Sequence, residues 1–288
     1  MYNSSSVFSV TIPYSLLSPR SSFAPLTSVL TTATPNISAS VTAVLKPSLC
    51  DEQTNKSAFT RVLENANSNY DYDGIAILGD IVNYGMSPNE VIKFLNEINY
   101  PIIANLYGNH EKALFDGDTS HFSTERGREV LKLTKMRLSN DSQKYLLSNL
   151  AKNGVQEVQI GNKMILFIHG TLSDPFWGKM TAEEMANPIY AKYDYVISGH
   201  SHIPNFTEKF YEDKSMPEYR NKKRTIFLNP GSVGQPRNHN PRAQYLFVDT
   251  EKEIFHFNSV EYDVEYEQSL YEGANIDNFY KIRLKNGI

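Results

Sequence analysis

The sequence has little cysteine, no long apolar run and no large excess of either charge. Cys50 is the only cysteine among 288 residues, so no disulfide can form within the chain and a bridge-stapled secreted fold is not expected. No stretch approaches the roughly 18 consecutive apolar residues of a membrane-spanning helix. The formal net charge is −4, which does not favour stable nucleic-acid binding. We therefore expect a soluble protein of the cytoplasm, bound to no membrane.

The first fifty residues lack acidic side chains altogether, and Arg20 and Lys46 are their only charges. This segment is rich in Ser and Thr, as organelle transit peptides are, but those peptides are also rich in Arg. A disordered tail, or translated sequence that does not belong to the mature protein, explains the composition better. We predict an atypical, disordered segment over residues 1–50 and a single domain over residues 51–288.

From residue 55 onward, helix and strand patterns alternate, which predicts a layered α/β domain with a central sheet. Apolar residues recur at helical spacing between Ala58 and Ala66, and the following apolar run over residues 75–78 has the length of a buried strand. The part after residue 225 is predicted to be mostly β. The remaining predicted elements are a helix after Pro88, a strand over 102–106, a two-helix insertion over 122–150 with Ser139 as a candidate N-cap, a hairpin over 155–168, a short helix over 181–192, and strands over 195–198, 225–228, 243–248 and 254–260.

Four short polar strings each follow a predicted strand, so we expect all four to be loops at strand ends. They are GDIVNYG from residue 79, GNHE from residue 108, HG from residue 169 and GHSH from residue 199. In open α/β sheets, ligands bind at the carboxyl ends of the strands. The side chains expected to converge there are Asp80, Asn109, His110, His169, His200 and His202.

These residue types suit divalent metal ions. Imidazole and carboxylate groups bind Zn, Mn, Fe or Ni, a carboxylate can bridge two ions, and an amide oxygen is a neutral ligand. Taken singly, each string has an ordinary structural alternative: a Gly-Asp pair can be a turn, and a lone histidine can be a hydrogen-bonded structural residue. All four strings together, each after a strand, favour a site for two divalent ions.

Further motifs extend the pattern: HGTLSDP at 169–175, NPGSVGQPR at 229–237, YDVE at 262–265 and a final RLKNGI. With them, the sequence resembles the calcineurin-like metallophosphoesterase superfamily, in particular its small bacterial phosphodiesterase branch, over residues 51–288. The resemblance implies a four-layered α/β/β/α sandwich, here with a short helical insertion and a poorly matched N-terminal segment. It also implies hydrolysis of a phosphodiester or phosphomonoester at a centre of two divalent ions.

The resemblance also implies a role for each site residue. Asp80 would bridge the two ions. His110 would be a non-ligand histidine that protonates the leaving-group oxygen or stabilises charge on the phosphate, with plain structural support as its alternative. The second ion would be held by Asn109, His169 and His200, and the first by His202 and Asp51.

Two arginines near the NPGSVGQPR motif are candidates for binding the substrate. Arg237 is predicted to contact phosphate oxygens, because a guanidinium group matches them with two parallel hydrogen bonds. Arg242 is a second candidate, and solvated loop arginines are the alternative for both. Asp174 and Trp177 could shape the mouth of the site, although a lone tryptophan is more often a packing residue.

The start of the domain departs from the family pattern. The family's first strand ends in Asp-x-His, and the aligned string here is CDEQTNKSAF, so Asp51 matches while Gln53 replaces the histidine. An amide oxygen is a poorer ligand than imidazole, and weaker binding of the first ion is expected. Lys46, Pro47 and Ser48 also separate the candidate strand over residues 41–45 from Asp51, and proline cannot donate to a central ladder. Either the N-terminal segment replaced the ancestral start and impaired an enzyme, or this sequence does not represent the start of the functional protein.

We expect a metal-dependent phosphoesterase whose substrate is a small phosphate ester or a nucleotide. Tyr84, Tyr107 and His121 could contact a nucleotide, with packing as their alternative role. A rival interpretation is a catalytically inactive relative that holds one ion and acts as a binding or scaffold protein. A zinc hydrolase on a metallo-β-lactamase-like sandwich is disfavoured, because its His-x-His-x-Asp-His run is absent from the sequence.

Overall fold

The computed structural model describes residues 55–274 and 276–288. The Ser/Thr-rich segment, Asp51 and Gln53 lie outside the described residues, so the statements about them remain predictions. The helices are α1 (Lys56–Asn69), α2 (Pro88–Glu97), α3 (Asn109–Asp116), α4 (Glu125–Arg137), α5 (Asn140–Asn149), α6 (Ala182–Met185), α7 (Val264–Ser269) and α8 (Asn278–Asn286), with short 3-10 helices at Pro188–Lys192 and Pro217–Tyr219. The strands are β1 (Ile75–Ile77), β2 (Ile102–Asn105), β3 (Val155–Ile160), β4 (Lys163–Ile168), β5 (Tyr195–Ser198), β6 (Asn205–Glu212), β7 (Lys222–Asn229), β8 (Ala243–Asp249) and β9 (Ile254–Val260).

The strands form three hydrogen-bonded groups. β1 pairs with β2 in parallel, β8 pairs with β9 antiparallel, and the remaining strands form a five-stranded mixed sheet in the order β3-β4-β5-β7-β6. Within that sheet β4, β5 and β7 are parallel, so their carboxyl ends lie at one edge. The loops after β4 and β5 carry His169 and His200, which therefore emerge close together.

Apolar clusters define four layers. One cluster packs β1, β2 and β8 against the five-stranded sheet, through residues such as Leu78, Leu106, Phe167 and Leu246. A second packs α1, α2, α4 and α5 on the outer side of β1 and β8. A third covers the other face of the five-stranded sheet with α6 and the following 3-10 helix. The layer order is helix, sheet, sheet, helix, and the predicted α/β/β/α sandwich is confirmed.

The first helix illustrates how the sequence specifies these elements. The Asn55 side chain caps α1 by accepting the Ala58 amide at 2.9 Å. The apolar residues of α1 recur at helical spacing and are all buried: Ala58, Phe59, Val62, Leu63 and Ala66. The two-helix insertion also lies where it is predicted, as α4 and α5, and Ser139 caps α5 through its hydroxyl.

Three predictions about elements are wrong. GNHE is not a loop, because Asn109 begins α3: the Glu111 side chain reaches back to the Gly108 amide, and Gly117 ends the helix in a left-handed conformation. The region after residue 225 is not mostly β to its end, because α7 and α8 follow β9. The edge strand β6 is absent from the prediction, since it alternates half-buried and exposed residues and lacks a clear apolar face. No helix in the described part of the chain has both the length and the apolar character needed to cross a bilayer.

Candidate metal centre

Four of the predicted ligands meet at the carboxyl ends of the strands. Asp80 follows β1, Asn109 begins α3 after β2, His169 follows β4, and His200 follows β5. Candidate ligand atoms of Asp80, His169 and His200 all lie within 4.8 Å of one another. The Asn109 Oδ1 atom is 3.0 Å from His169 Nε2 and 3.1 Å from His200 Nδ1. These side chains, from three separate loops and one helix start, therefore form one compact polar cluster.

Main-chain carbonyls fix the orientation of two histidine rings. His169 Nδ1 lies 2.7 Å from the Leu78 carbonyl, and His202 Nδ1 lies 2.8 Å from the Gln235 carbonyl. A carbonyl oxygen only accepts, so each Nδ1 donates its proton and the Nε2 atom of the neutral ring carries the lone pair. In both residues Nε2 is therefore the atom suited to binding a metal.

The donor atoms of the cluster fit a cation between them. The lone pair of His169 Nε2 faces Asn109 Oδ1 and also Asp80 Oδ2, which is 3.2 Å away. Three electron-rich atoms at this spacing, buried from water, repel one another unless a positive charge lies among them. Imidazole, carboxylate and amide oxygen are ligand types of divalent transition metals, so the residues present suit such an ion.

His202 does not belong to the three-residue cluster. Its side chain is fully buried, and its orientation on Gln235 leaves Nε2 as the ligand atom. Asp51, its predicted partner on the first ion, lies outside the described residues. A second metal position at His202 therefore remains a prediction.

The backbone is held in the left-handed region at three predicted ligands. The φ angles are 55° at Asp80, 62° at His200 and 60° at His202. Residues with a Cβ seldom adopt this region, and it costs free energy wherever they do. Such conformations collect at functional sites because they aim a side chain that an extended backbone would point elsewhere.

A close approach of two loops supports Asp80. A Cβ atom placed on Gly108 would overlap the Asp80 carboxylate, and one placed on Gly79 would overlap the Gly108 main chain. The glycines of GDIVNYG and GNHE therefore let the two loops touch behind the carboxylate. The Asp80 Oδ1 atom in turn accepts the His110 amide at 2.9 Å, which ties the start of α3 to the site.

Glu111 organises these loops, and sequence reasoning gave it no role. Its buried carboxylate accepts three main-chain N–H groups, from Asp80 at 2.7 Å, Val82 at 2.9 Å and Gly108 at 2.8 Å. Burial, and secondarily the Asp80 carboxylate, raise the pKa of Glu111. The available signal was its position three residues after Gly108, where a capping glutamate reaches back to the helix start.

His110 is buried beside the cluster, and its ring hydrogen-bonds to Asn83, which is not part of the cluster. Its Nδ1 is 2.5 Å from the Asn83 side-chain amide, and the Thr134 hydroxyl donates to Asn83 Oδ1 at 3.2 Å. This pair of contacts makes Asn83 Nδ2 the donor, so the proton of a neutral His110 ring is on Nε2. The ring packs edge-on against Tyr84 and Phe122.

A cavity of about 380 Å³ adjoins the cluster through Asn109 and His200. Arg237, Tyr84, His121 and Trp177 line it, as a substrate contact would require. Asp174 does not line the cavity. Its carboxylate accepts the main-chain amides of Phe176 and Trp177 and so stabilises that loop. Arg242 does not either, since it pairs with Glu261 on the surface. Tyr107 is buried and stacks on Phe115, in a packing role.

Comparison with known proteins agrees with the fold. The chain matches the calcineurin-like phosphoesterase superfamily domain over residues 51–253. It is 28% identical over 222 residues to an uncharacterized protein of Methanocaldococcus jannaschii. The alignment covers 75% of this chain and 87% of that protein.

Two solved structures share the fold. One is a metallophosphoesterase from Sphaerobacter thermophilus, with a TM-score of 0.64 and 24% identity over 86% of this chain and 99% of that chain. The other is a hypothetical protein from Pyrococcus horikoshii OT3, with a TM-score of 0.66 and 22% identity over 86% of this chain and 98% of that chain. Fold and site define the class of metal-dependent phosphoesterases. The chain belongs to the calcineurin-like phosphoesterase superfamily, and the resemblance drawn from its motifs is confirmed.

Proposed function

We propose that this chain hydrolyses phosphate esters, phosphodiesters or phosphomonoesters, with a centre of two divalent ions. The observation that carries the proposal is the meeting of Asp80, Asn109, His169 and His200 around a space suited to a cation. Asp80 would bridge the ions, with Asn109, His169 and His200 on one of them. His202 and Asp51 would hold the other, as the family resemblance implies.

Bound divalent ions would polarise the phosphoryl oxygens and acidify the attacking water. The chain's own residues supply orientation and a hydrogen-bond donor. Asn83 donates to Nδ1 of His110, so the neutral ring carries its hydrogen on Nε2. We assign this N–H a hydrogen bond to the phosphate ester, where it would stabilise the negative charge that develops on the leaving-group oxygen. Arg237, at the cavity wall, would bind the non-reacting phosphoryl oxygens and hold the ester in place.

A second function is favoured by one specific observation. Among the described residues, the compact cluster contains ligands for one ion, and His202 does not belong to it. Gln53 replaces the histidine expected for the other ion. A chain that holds a single ion without turnover would act as a binding or scaffold protein. Metal stoichiometry separates this alternative from the enzyme.

The test is hydrolysis of bis-p-nitrophenyl phosphate and p-nitrophenyl phosphate with added Mn²⁺, with bound metal counted by plasma mass spectrometry. Three chains are compared: the present one, Gln53→His, and Asn109→Ala. We expect turnover that Asn109→Ala abolishes and Gln53→His raises, with close to two ions per chain in the most active form.

The outcomes separate the two functions. Turnover by the present chain shows that the site works with Gln53 in place. Turnover by Gln53→His alone shows that this glutamine disables an enzyme. One tightly bound ion without turnover in any variant would favour the binding protein and contradict the proposed hydrolase.

A further inference from the structure

The cavity beside the metal cluster has an unusual distribution of charge. Among the residues that the structure describes, three arginines line it, Arg126, Arg237 and Arg283, and no Asp or Glu does. A single phosphoryl group at the metal ions needs one guanidinium partner, which Arg237 can provide. The other two arginines exceed that need.

Arg126 and Arg283 come from different helices and share one aromatic ring. The Arg126 guanidinium lies 3.8 Å from the centre of the Phe279 ring, and that of Arg283 lies 4.9 Å from it. Arg126 is in the first turn of α4, while Phe279 and Arg283 are in α8. Contact of a guanidinium with a ring face holds the group in place while its N–H edge stays able to donate.

The two arginines differ in their other contacts. Arg283 donates its Nε–H to the main-chain oxygen of Ile288 at 2.5 Å. Arg126 makes no ion pair with any residue that the structure describes; its recorded contact is the Phe279 ring. Arg126 is half-buried at the wall of the cavity. None of the described residues supplies an anion to pair with its positive charge.

We infer that this cavity selects phosphate esters carrying a second phosphoryl group, which Arg126 binds while the first is hydrolysed at the metal ions. The inference rests on the proposed function and names its substrate class. A phosphoryl group fits better than a neutral ligand, because guanidinium and phosphate form charge-assisted, paired hydrogen bonds. The cavity volume of about 380 Å³ suits a nucleotide-sized molecule.

The test compares two p-nitrophenyl esters: thymidine 5′-(p-nitrophenyl phosphate) and the same ester with a 3′-phosphate. We expect kcat/KM to be about 10-fold higher for the 3′-phosphorylated ester, the size of one charge-assisted contact. Arg126→Gln should remove this preference and leave hydrolysis of the single-phosphate ester within about 2-fold. Lys135→Gln, which removes an exposed charge from the same helix outside the cavity, should keep the preference.

A binding measurement makes the result independent of turnover. Calorimetric titration with Mn²⁺ present, using the hydrolysis-resistant 5′-phosphorothioates of thymidine and of thymidine 3′-phosphate, should show about 10-fold tighter binding of the 3′-phosphorylated compound, and Arg126→Gln should remove the difference. Arg126→Met, whose stem can still pack on Phe279, replaces Arg126→Gln if the latter unfolds.

Each outcome decides one of the two proposals. Hydrolysis without preference, or a preference that survives loss of Arg126, overturns the inference and leaves the proposed function standing. Absence of hydrolysis with Arg126-dependent binding of the 3′-phosphorylated compound overturns the proposed function and supports the two-phosphate site. Absence of both overturns both.

Discussion

At the scale of single residues, hydrogen bonds to Nδ1 decide which nitrogen of each histidine ring carries the hydrogen. The Leu78 and Gln235 carbonyls fix the protons of His169 and His202 on Nδ1, so Nε2 is ready to bind a metal. Asn83 does the reverse for His110, where the proton stays on Nε2. The same side-chain type thus presents a lone pair on Nε2 at two positions and an N–H on Nε2 at a third.

Replacing Gly108 by alanine should disrupt the metal centre. The new Cβ would overlap the Asp80 carboxylate, and the main chain behind it leaves no free space. We expect bound metal and kcat/KM to fall by at least 10-fold, measured by plasma mass spectrometry and ester hydrolysis.

Gly117→Ala is the matched control for that substitution. Gly117 follows the last residue of α3, as Gly108 precedes the first, and it is left-handed with φ of 78°, but a Cβ there meets no atom within 4 Å. The substitution should cost about 1 kcal/mol of stability and leave the metal content unchanged. Equal metal loss in both variants would show that disturbance of α3, not the clash with Asp80, is responsible.

Replacing His110 by asparagine should separate charge stabilisation at the leaving group from metal binding. We expect kcat to fall by roughly 10²- to 10³-fold, the usual effect of removing one hydrogen-bond donor to a developing oxyanion, with metal content unchanged. The backbone amide of residue 110 still donates to Asp80 in the variant, so the ligand cluster keeps its support. A loss of metal parallel to the loss of rate would instead assign His110 a structural role.

At the scale of elements, the sequence patterns predict those helices that bury a regular apolar stripe or carry a capping side chain. α1 and α5 are examples, with Asn55 and Ser139 as caps. The start of α3 was missed because Gly108 has no side chain with which to signal a cap, and the stabilising carboxylate comes from Glu111. α8 was missed because it buries only two described residues, Tyr280 and Leu284, which is too few for a periodic pattern.

The contact between α1 and α7 should make stability depend on pH. Glu267 of α7 is buried and accepts the Ser57 amide of α1 at 2.9 Å. Burial, with a smaller effect of Asp263, raises the pKa of Glu267 from 4.5 to about 7, while Ser57 and Lys56 oppose the rise. The folded state therefore keeps this proton where the unfolded state has lost it, and the associated stability is present below pH 4.5 and lost as the pH rises through about 7.

Glu267→Gln should remove this dependence and stabilise the chain at pH 8 by roughly 1–3 kcal/mol, given about 1.4 kcal/mol per pKa unit. Denaturant unfolding at pH 5 and pH 8 measures it. Glu265→Gln, an exposed position on the same helix, is the control and should leave the pH dependence unchanged. A Glu267→Gln curve with the original dependence would contradict the buried-acid explanation.

At the scale of the whole molecule, the four layers were predicted from the family resemblance that the motifs carry, while the position of each string at a strand end predicted only that the site residues converge. The cavity could not be predicted in the same way. Its wall joins Arg126, Trp177 and Phe279, which no motif or spacing connects and which only the packing of α4 and α8 brings together. Long-range packing of this kind leaves no local signal in a single sequence.

Metal binding should stabilise the whole domain, because the ligands come from loops after four different strands. Saturating Mn²⁺, at about 100 times its Kd, should add roughly 2.7 kcal/mol, and thus raise Tm by about 5–10 °C. Thermal unfolding followed by circular dichroism, with Mn²⁺ or with EDTA, measures the shift. Asn109→Ala should show a much smaller shift, and an equal one would place the stabilising ion elsewhere.

The left-handed backbone at Asp80, His200 and His202 also bears on how this protein can be improved by selection. Glycine at any of the three would relieve the strain, so a search for heat-resistant variants that ignores activity will be drawn toward these positions. Laboratory evolution of this fold therefore has to screen turnover in every round, since its easiest gains in thermal tolerance remove the ligands themselves.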